Sequence, residues 1–232
     1  MVEKGEPRES MVKEKNYRYA YLHGFGSSAL SYKGAWLAPE FEKVGLELLL
    51  PELNNPSFED LSFDGSLEAI DALHEGTGGD SGGSWRFIGS SMGGYLAARW
   101  AELHPERVNK MILLCPGFGL TKRWDSLLGE GSLEKWKARG YHIFLDPYGR
   151  PGGVKWRFIE NAMQHPHTPD FCAPTRIIHG LHDEIVPFTQ SAKLAESRDH
   201  IEIVAVEDEH SLAKSLPVIQ REAFSFFEIQ SS

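Results

Sequence analysis

Trp85-Arg86-Phe87-Ile88-Gly89-Ser90-Ser91-Met92-Gly93-Gly94-Tyr95-Leu96-Ala97-Ala98 runs from a short strand pattern into a helical one through a turn crowded with glycine. Trp85 to Ile88 read as a buried strand, and Tyr95 to His104, ended by Pro105, reads as a helix. A serine at the bend between them stands clear of the sheet, where a carbonyl can reach it. So tight a bend needs small residues two before and two after the serine. Gly89 and Gly93 meet that need around Ser91 and not around Ser90. Without a base nearby the same pattern is only a Gly/Ser-rich turn.

Outward from this turn, strand and helix patterns alternate. Tyr17 to Leu22 is a strand stopped by His23-Gly24-Phe25-Gly26-Ser27-Ser28, Trp36 to Val44 a helix ended by Gly45, and Leu46 to Leu50 a short apolar run closed by Pro51. Leu67 to Leu73 reads as a helix, followed by a Gly/Ser/Thr/Asp linker from Gly76 to Gly83. Beyond the turn come a strand at Val108 to Cys115, another at Thr175 to His179, a helix at Phe188 to Glu196, a strand at His200 to Val206 and a closing helix at Leu212 to Ile229. This rhythm calls for right-handed βαβ units and a parallel sheet covered on both faces, which places the chain in the α/β class.

The alternation lapses between Cys115 and Thr175, far longer than the usual α/β connection, so that stretch needs structure of its own. A cap at 117–171 is expected, on two helices near Ser126 to Ala138 and Val154 to His165. Most of its aromatics should fix it to the sheet. Trp124, Trp136 and Trp156 are the candidates for lining a pocket for an apolar acyl group.

A serine hydroxyl needs a base to take its proton and the base needs an orienting acid. His210 follows the last strand pattern within Glu207-Asp208-Glu209-His210-Ser211-Leu212, and Asp183 leaves an earlier one within His179-Gly180-Leu181-His182-Asp183-Glu184-Ile185-Val186-Pro187. The chain order serine, acid, histidine is thereby met. Glu184 is a competing neighbour, and Asp208 and Glu207 are alternative orienters that lie too close in sequence to reach the ring easily. Charge on an attacked carbonyl oxygen needs fixed donors. The Met92 amide, at a helix N-terminus, and the Phe25 amide, in a glycine turn after the first strand, are the candidates, with His23 left a structural role. The pairs His165/His167 and His179/His182 invite a metal, but no Cys or carboxylate completes a ligand spacing, so no metal and no cofactor is expected.

Lys and Arg number 24 against 33 Asp and Glu, a net charge of −9, which disfavours nucleic acid and anionic membrane as partners. Two cysteines, Cys115 in an apolar run and Cys172, do not make a disulfide framework. Residues 1–16 form a charged leader without an apolar core, and no stretch is long and apolar enough for a membrane span, so a single cytoplasmic domain over 1–232 is expected.

Taken together, His23-Gly24-Phe25-Gly26-Ser27-Ser28, Gly89-Ser90-Ser91-Met92-Gly93-Gly94-Tyr95 and His179-Gly180 to Val186-Pro187 resemble the α/β-hydrolase superfamily. Within it they look like small lipase-like esterases and acyl-protein thioesterases related to the mitochondrial palmitoyl thioesterase group. The resemblance implies a reduced, mostly parallel sheet of about six strands, helices on both faces and a small helical cap, since the family's first two strands are missing. Asp208 stands where many members carry glycine before the histidine. The expected function is hydrolysis of a small-molecule carboxylic ester or thioester through an acyl-enzyme on Ser91. The alternatives are a serine peptidase, a cofactor-free perhydrolase or a non-catalytic ligand-binding protein of the same fold.

Overall fold

The computed structural model describes residues 16–230, so the charged leader, Asn16 apart, lies outside the described residues. Six strands form one sheet in the order β2-β1-β3-β4-β7-β8: β1 (Tyr17–Leu22), β2 (Leu48–Leu49), β3 (Ser84–Ser90), β4 (Val108–Leu114), β7 (Thr175–Gly180) and β8 (Ile201–Val206). Every pairing within it is parallel. The helices between them are α1 (Tyr32–Glu42), α2 (Phe63–Gly76), α3 (Met92–Leu103), α7 (Phe188–Ser197) and α8 (Leu216–Phe227). The chain has the α/β-hydrolase fold.

Alternation along the strands splits the core into two layers. In β4, Met111 and Leu113 join α2 and α3 on one face, while Ile112 and Leu114 join Leu37 and Phe41 of α1 and Ile219 and Phe224 of α8 on the other. Both faces being covered, the strands need no polar side, and β3 is buried from Trp85 to Ser90. Its one charged residue, Arg86, is reconciled with burial by hydrogen bonds to Asn109 Oδ1 (2.8 Å) and the Phe227 carbonyl, and by stacking 3.6 Å from the Tyr17 ring centroid.

Helix starts lie earlier than the apolar spacing predicts because polar caps set them. Ser31 Oγ accepts from the Gly34 amide at 3.3 Å and Ser62 Oγ from the Gly65 amide at 3.0 Å. The closing helix begins at Leu216 rather than Leu212, because Leu212 has φ +53° and Asp208 Oδ2 draws the Lys214 amide and the Ser215 hydroxyl into a loop. The expected linker at Gly76 to Gly83 contains the end of α2 and a 3₁₀ turn at Gly79–Gly82.

The segment after β4 departs most from expectation. The helix predicted at Ser126 to Ala138 is two, α4 (Trp124–Leu128) and α5 (Ser132–Arg139), separated by Gly129 and Gly131 at φ +98° and +74°. Asp125 Oδ1 accepts from the Ser132 amide at 3.0 Å across that break. The helix predicted at Val154 to His165 starts late, because an antiparallel hairpin, β5 (Tyr141–Leu145) and β6 (Pro151–Lys155), takes its first residues and leaves only α6 (Arg157–Ala162). Asp146 Oδ1 builds the hairpin turn by accepting from the Tyr148 and Arg150 amides, both at 2.8 Å. Trp136 holds these pieces together: it is fully buried and donates from Nε1 to the Val154 carbonyl at 2.9 Å. Trp136→Ala is expected to lower stability by about 3–5 kcal/mol, read by urea unfolding.

Candidate active site

β3 delivers Ser91 to the C-terminal edge of the sheet and α3 begins at the next residue. Ser91 has φ +52° and ψ −115°, a conformation costing on the order of 1–3 kcal/mol that persists only where the surroundings enforce it. Three backbone bonds do so: the Ser91 amide donates to Leu114 O at 2.9 Å, and Ser91 O accepts from Gly117 at 2.9 Å and Tyr95 at 3.1 Å. The glycine requirement is steric. A Cβ on Gly89 would stand 2.6 Å from Gly93 O, and one on Gly93 would stand 2.1 Å from Leu22 O.

The bend brings Ser91 Oγ to 2.9 Å from His210 Nε2, and His210 Nδ1 lies 2.7 Å from Asp183 Oδ2. Three loops distant in sequence thus meet in one hydrogen-bonded chain, the serine hydroxyl donating to the imidazole and the imidazole to the carboxylate. Of the competing acids, Asp208 is engaged by its own loop, Glu207 lies 2.8 Å from His182 Nε2, and Glu184 lines a separate cleft beside His210 with Glu209.

Asp183 has a buried side chain whose oxygens are saturated with donors. Oδ1 accepts from the Ile185 and Val186 amides at 2.9 and 2.8 Å, while Oδ2 faces both His210 and, at 3.2 Å, His179 Nε2. Burial pushes this carboxyl upward, but the hydrogen bonds from His179, then His210 and Val186, outweigh it and hold it well below the usual carboxylate range. His179 is fully buried. Its Nε2 is shared with the Val186 carbonyl at 2.8 Å and its Nδ1 meets Ser191 Oγ at 2.8 Å. His179, which the sequence places at a strand end, at the head of a family-like motif and in a metal pair with His182, points inward while His182 lies at the surface. His165 pairs with Asp64 at 3.0 Å. The atoms of Cys115, His179 and Asp183 lie within 4.8 Å of one another, but both His179 nitrogens are engaged and burial pushes the Cys115 thiol up, which suits a hydrogen-bonded core better than a metal site.

Next to Ser91, the Gly24-Phe25 backbone comes close: a Cβ on Gly24 would stand 3.2 Å from Ser91 Cβ. His23 fixes this turn by accepting the Leu53 amide at Nε2 (3.0 Å) and donating from Nδ1 to the Gly24 carbonyl (3.0 Å). Met92 supplies the first amide of α3. Beyond Phe25 and Met92 lies a narrow apolar cleft walled by Phe63, Tyr95, Trp124 and Phe158. Trp124 lines it, as the sequence reading expects. Trp136 packs behind, 6.0 Å from the Trp124 ring centroid, and Trp156 stands one layer further out, 6.1 Å from that of Trp136. Phe25 is the wall's centre, within 5.7 Å of the ring centroids of Phe58, Trp124, Phe144 and Phe158.

The comparisons with known proteins bear on this arrangement. The model of a family described as Uncharacterised protein family (UPF0227) matches residues 18–228. The chain belongs to that family. UPF0227 membership thus takes in the bend, both loops and the segment between β4 and β7. A mouse protein named palmitoyl-protein thioesterase ABHD10, mitochondrial, is 31% identical over 115 residues, which cover 47% of this chain and 38% of that protein; the match spans well under half of the relative's length. The mouse alpha/beta hydrolase domain-containing protein 10 superposes with a TM-score of 0.74 at 16% identity, covering 93% of this chain and 90% of that one. Est1E from Butyrivibrio proteoclasticus gives 0.74 at 19% identity over 94% and 89% of the two chains. Among the described residues no helix is long and apolar enough to cross a membrane.

A carboxyl depressed on folding contributes stability that is complete above its unfolded value, near about 4, and drains away as pH falls toward the folded one. The stability advantage of the wild-type chain over Asp183→Asn should therefore be constant from about pH 7 to about pH 5 and narrow below about pH 4, measured by urea unfolding across that range.

Proposed function

We propose that this UPF0227 protein is a serine hydrolase that cleaves a carboxylic ester or thioester through an acyl-enzyme on Ser91. The observation that carries the reading is the continuous chain from Ser91 Oγ through His210 to Asp183, at 2.9 and 2.7 Å, beside an apolar cleft. The relative named as a palmitoyl-protein thioesterase supports the same chemistry.

In this mechanism His210 Nε2 takes the Ser91 proton as Oγ attacks the acyl carbonyl, and Asp183 holds the imidazole in the tautomer whose Nε2 is free to accept. The negative charge that forms on the carbonyl oxygen is received by the Phe25 and Met92 amides, the second aided by the positive end of α3. His210 returns the proton to the leaving alcohol or thiol. A water deprotonated by His210 then attacks the acyl-enzyme and regenerates Ser91. The acyl group lies against Phe25, Trp124 and Phe158, rigid aromatic walls that exclude water from the carbonyl. His179 is a positioning residue: with the Ile185 and Val186 amides it fixes the carboxylate that fixes His210.

Ser91→Ala is expected to lower hydrolysis of a short p-nitrophenyl ester by about 10⁴-fold or more and to abolish labelling by a fluorophosphonate. Undiminished labelling would remove Ser91 from the mechanism. His179→Phe, which keeps a ring but no donor, is expected to lower kcat by about 10-fold or more with KM little changed, and His179→Gln to restore much of the loss. Steady-state kinetics of both variants on the same ester read this.

A further inference from the structure

Two different spaces flank the bend at Ser91. On the side of Met92 lies the apolar cleft, and on the other, between β1, the start of α1 and the His210 loop, lies a second pocket lined by Ser27, Ser31, Lys33, Ser91 and His210. The acyl group belongs in the first, where no charge would be solvated. The second therefore receives what departs from the carbonyl.

Lys33 gives that pocket its chemistry. Its side chain is half-buried, and Nζ donates to the Ser211 carbonyl at 2.8 Å. No carboxylate among the described residues lies within 4.0 Å of it, although the chain carries nine more acids than bases. Asp208, an acid that attracts it at longer range, is taken up by the Glu209 and Lys214 amides and the Ser215 hydroxyl. The surroundings add to the same sign: Lys33 is the second residue of α1, so the positive end of that helix opens here with the Ser31 hydroxyl. The Tyr21 hydroxyl also lines the pocket and burial pushes it up to about 12, so it stays neutral and adds no negative charge. The acids near His210, Glu184 and Glu209, line the adjoining cleft, which shares His210 and Ser211 with this pocket, but neither acid lines the Lys33 side.

We infer that the leaving group of the substrate carries an anion, a carboxylate or a phosphate, which Lys33 binds in the pocket opposite the acyl cleft. This rests on the serine-hydrolase reading and narrows its substrate class. Desolvation without a counter-ion pulls the Lys33 ammonium down from its ordinary value, and a bound anion reverses that penalty. In the reaction the acyl C–O or C–S bond breaks, the leaving oxygen or sulfur takes the proton held by His210, and the anion passes through unchanged. Water supplies the hydroxyl of the carboxylic acid product.

The test compares butyryl esters of 4-hydroxybenzamide, 4-hydroxybenzoate and 4-hydroxyphenyl phosphate, each rate divided by that of spontaneous hydrolysis. The wild-type chain should prefer at least one anionic ester over the neutral one by about 10-fold or more in kcat/KM, the two anionic arms telling carboxylate from phosphate. Lys33→Met should collapse that ratio and Lys33→Arg should keep most of it. Because a ratio is read, partial loss of folded protein does not imitate the result. A wild-type ratio near one, or an anionic preference unchanged in Lys33→Met, overturns the assignment of Lys33. Turnover of all three esters no faster than by Ser91→Ala overturns the serine-hydrolase reading instead, and the leaving-group assignment with it.

Discussion

Everything at the candidate site depends on a steric constraint at one backbone bend. Ser91 is held at positive φ because β3 must turn into α3 within a single residue, and the turn passes so near β1 that no side chain fits at Gly93. The same closeness that forbids a Cβ brings the Gly24-Phe25 backbone against Ser91 and leaves the first amide of α3 beside its hydroxyl. Nucleophile and both candidate oxyanion donors are thus positioned by main chain, whose geometry is stiffer than that of any rotamer.

The base and its acid are held differently, by hydrogen bonds rather than by crowding. The Asp183 carboxylate has no face left for water: two amides meet one oxygen, and two histidines meet the other. A carboxylate so surrounded stays ionised and immobile, and it passes that order to His210, whose side chain is partly exposed. Behind it the loop from β7 is anchored by His179 to Ser191 of α7, so the site draws its rigidity from the helix layer as well as from the sheet edge.

Much of this was legible in the sequence because it is written in local patterns. Short apolar runs spaced by helical ones give a parallel sheet, and glycines around Ser91, with Asp183 and His210 after later strands, give the order of the reacting groups. The sheet's six strands and the meeting of Ser91, His210 and Asp183 follow that reading. What was not legible depends on non-local contacts. The hairpin from Tyr141 to Lys155 falls mostly in a stretch to which the sequence pattern gives no element, only Val154 and Lys155 being read as the start of a helix, and its pairing rests on the Asp146 turn and the buried Trp136. Trp136 and Trp156 look equivalent to Trp124 in sequence, but they are stacked outward in successive layers. Lys33 lies in no motif, and the motif that begins at His179 does not give that residue a role. The signal for His179 was its place at the end of a buried strand, where a polar ring needs internal partners.

The central claim is that Ser91, its base and the two backbone amides act on one carbonyl. The most direct measurement is a crystal structure of the chain after reaction with an alkyl fluorophosphonate. The account predicts phosphorus bonded to Ser91 Oγ, the phosphoryl oxygen about 2.7–3.1 Å from the Phe25 and Met92 nitrogens, and the alkyl chain against Trp124 and Phe158. An adduct on another residue, or a phosphoryl oxygen turned to solvent away from both amides, would contradict it.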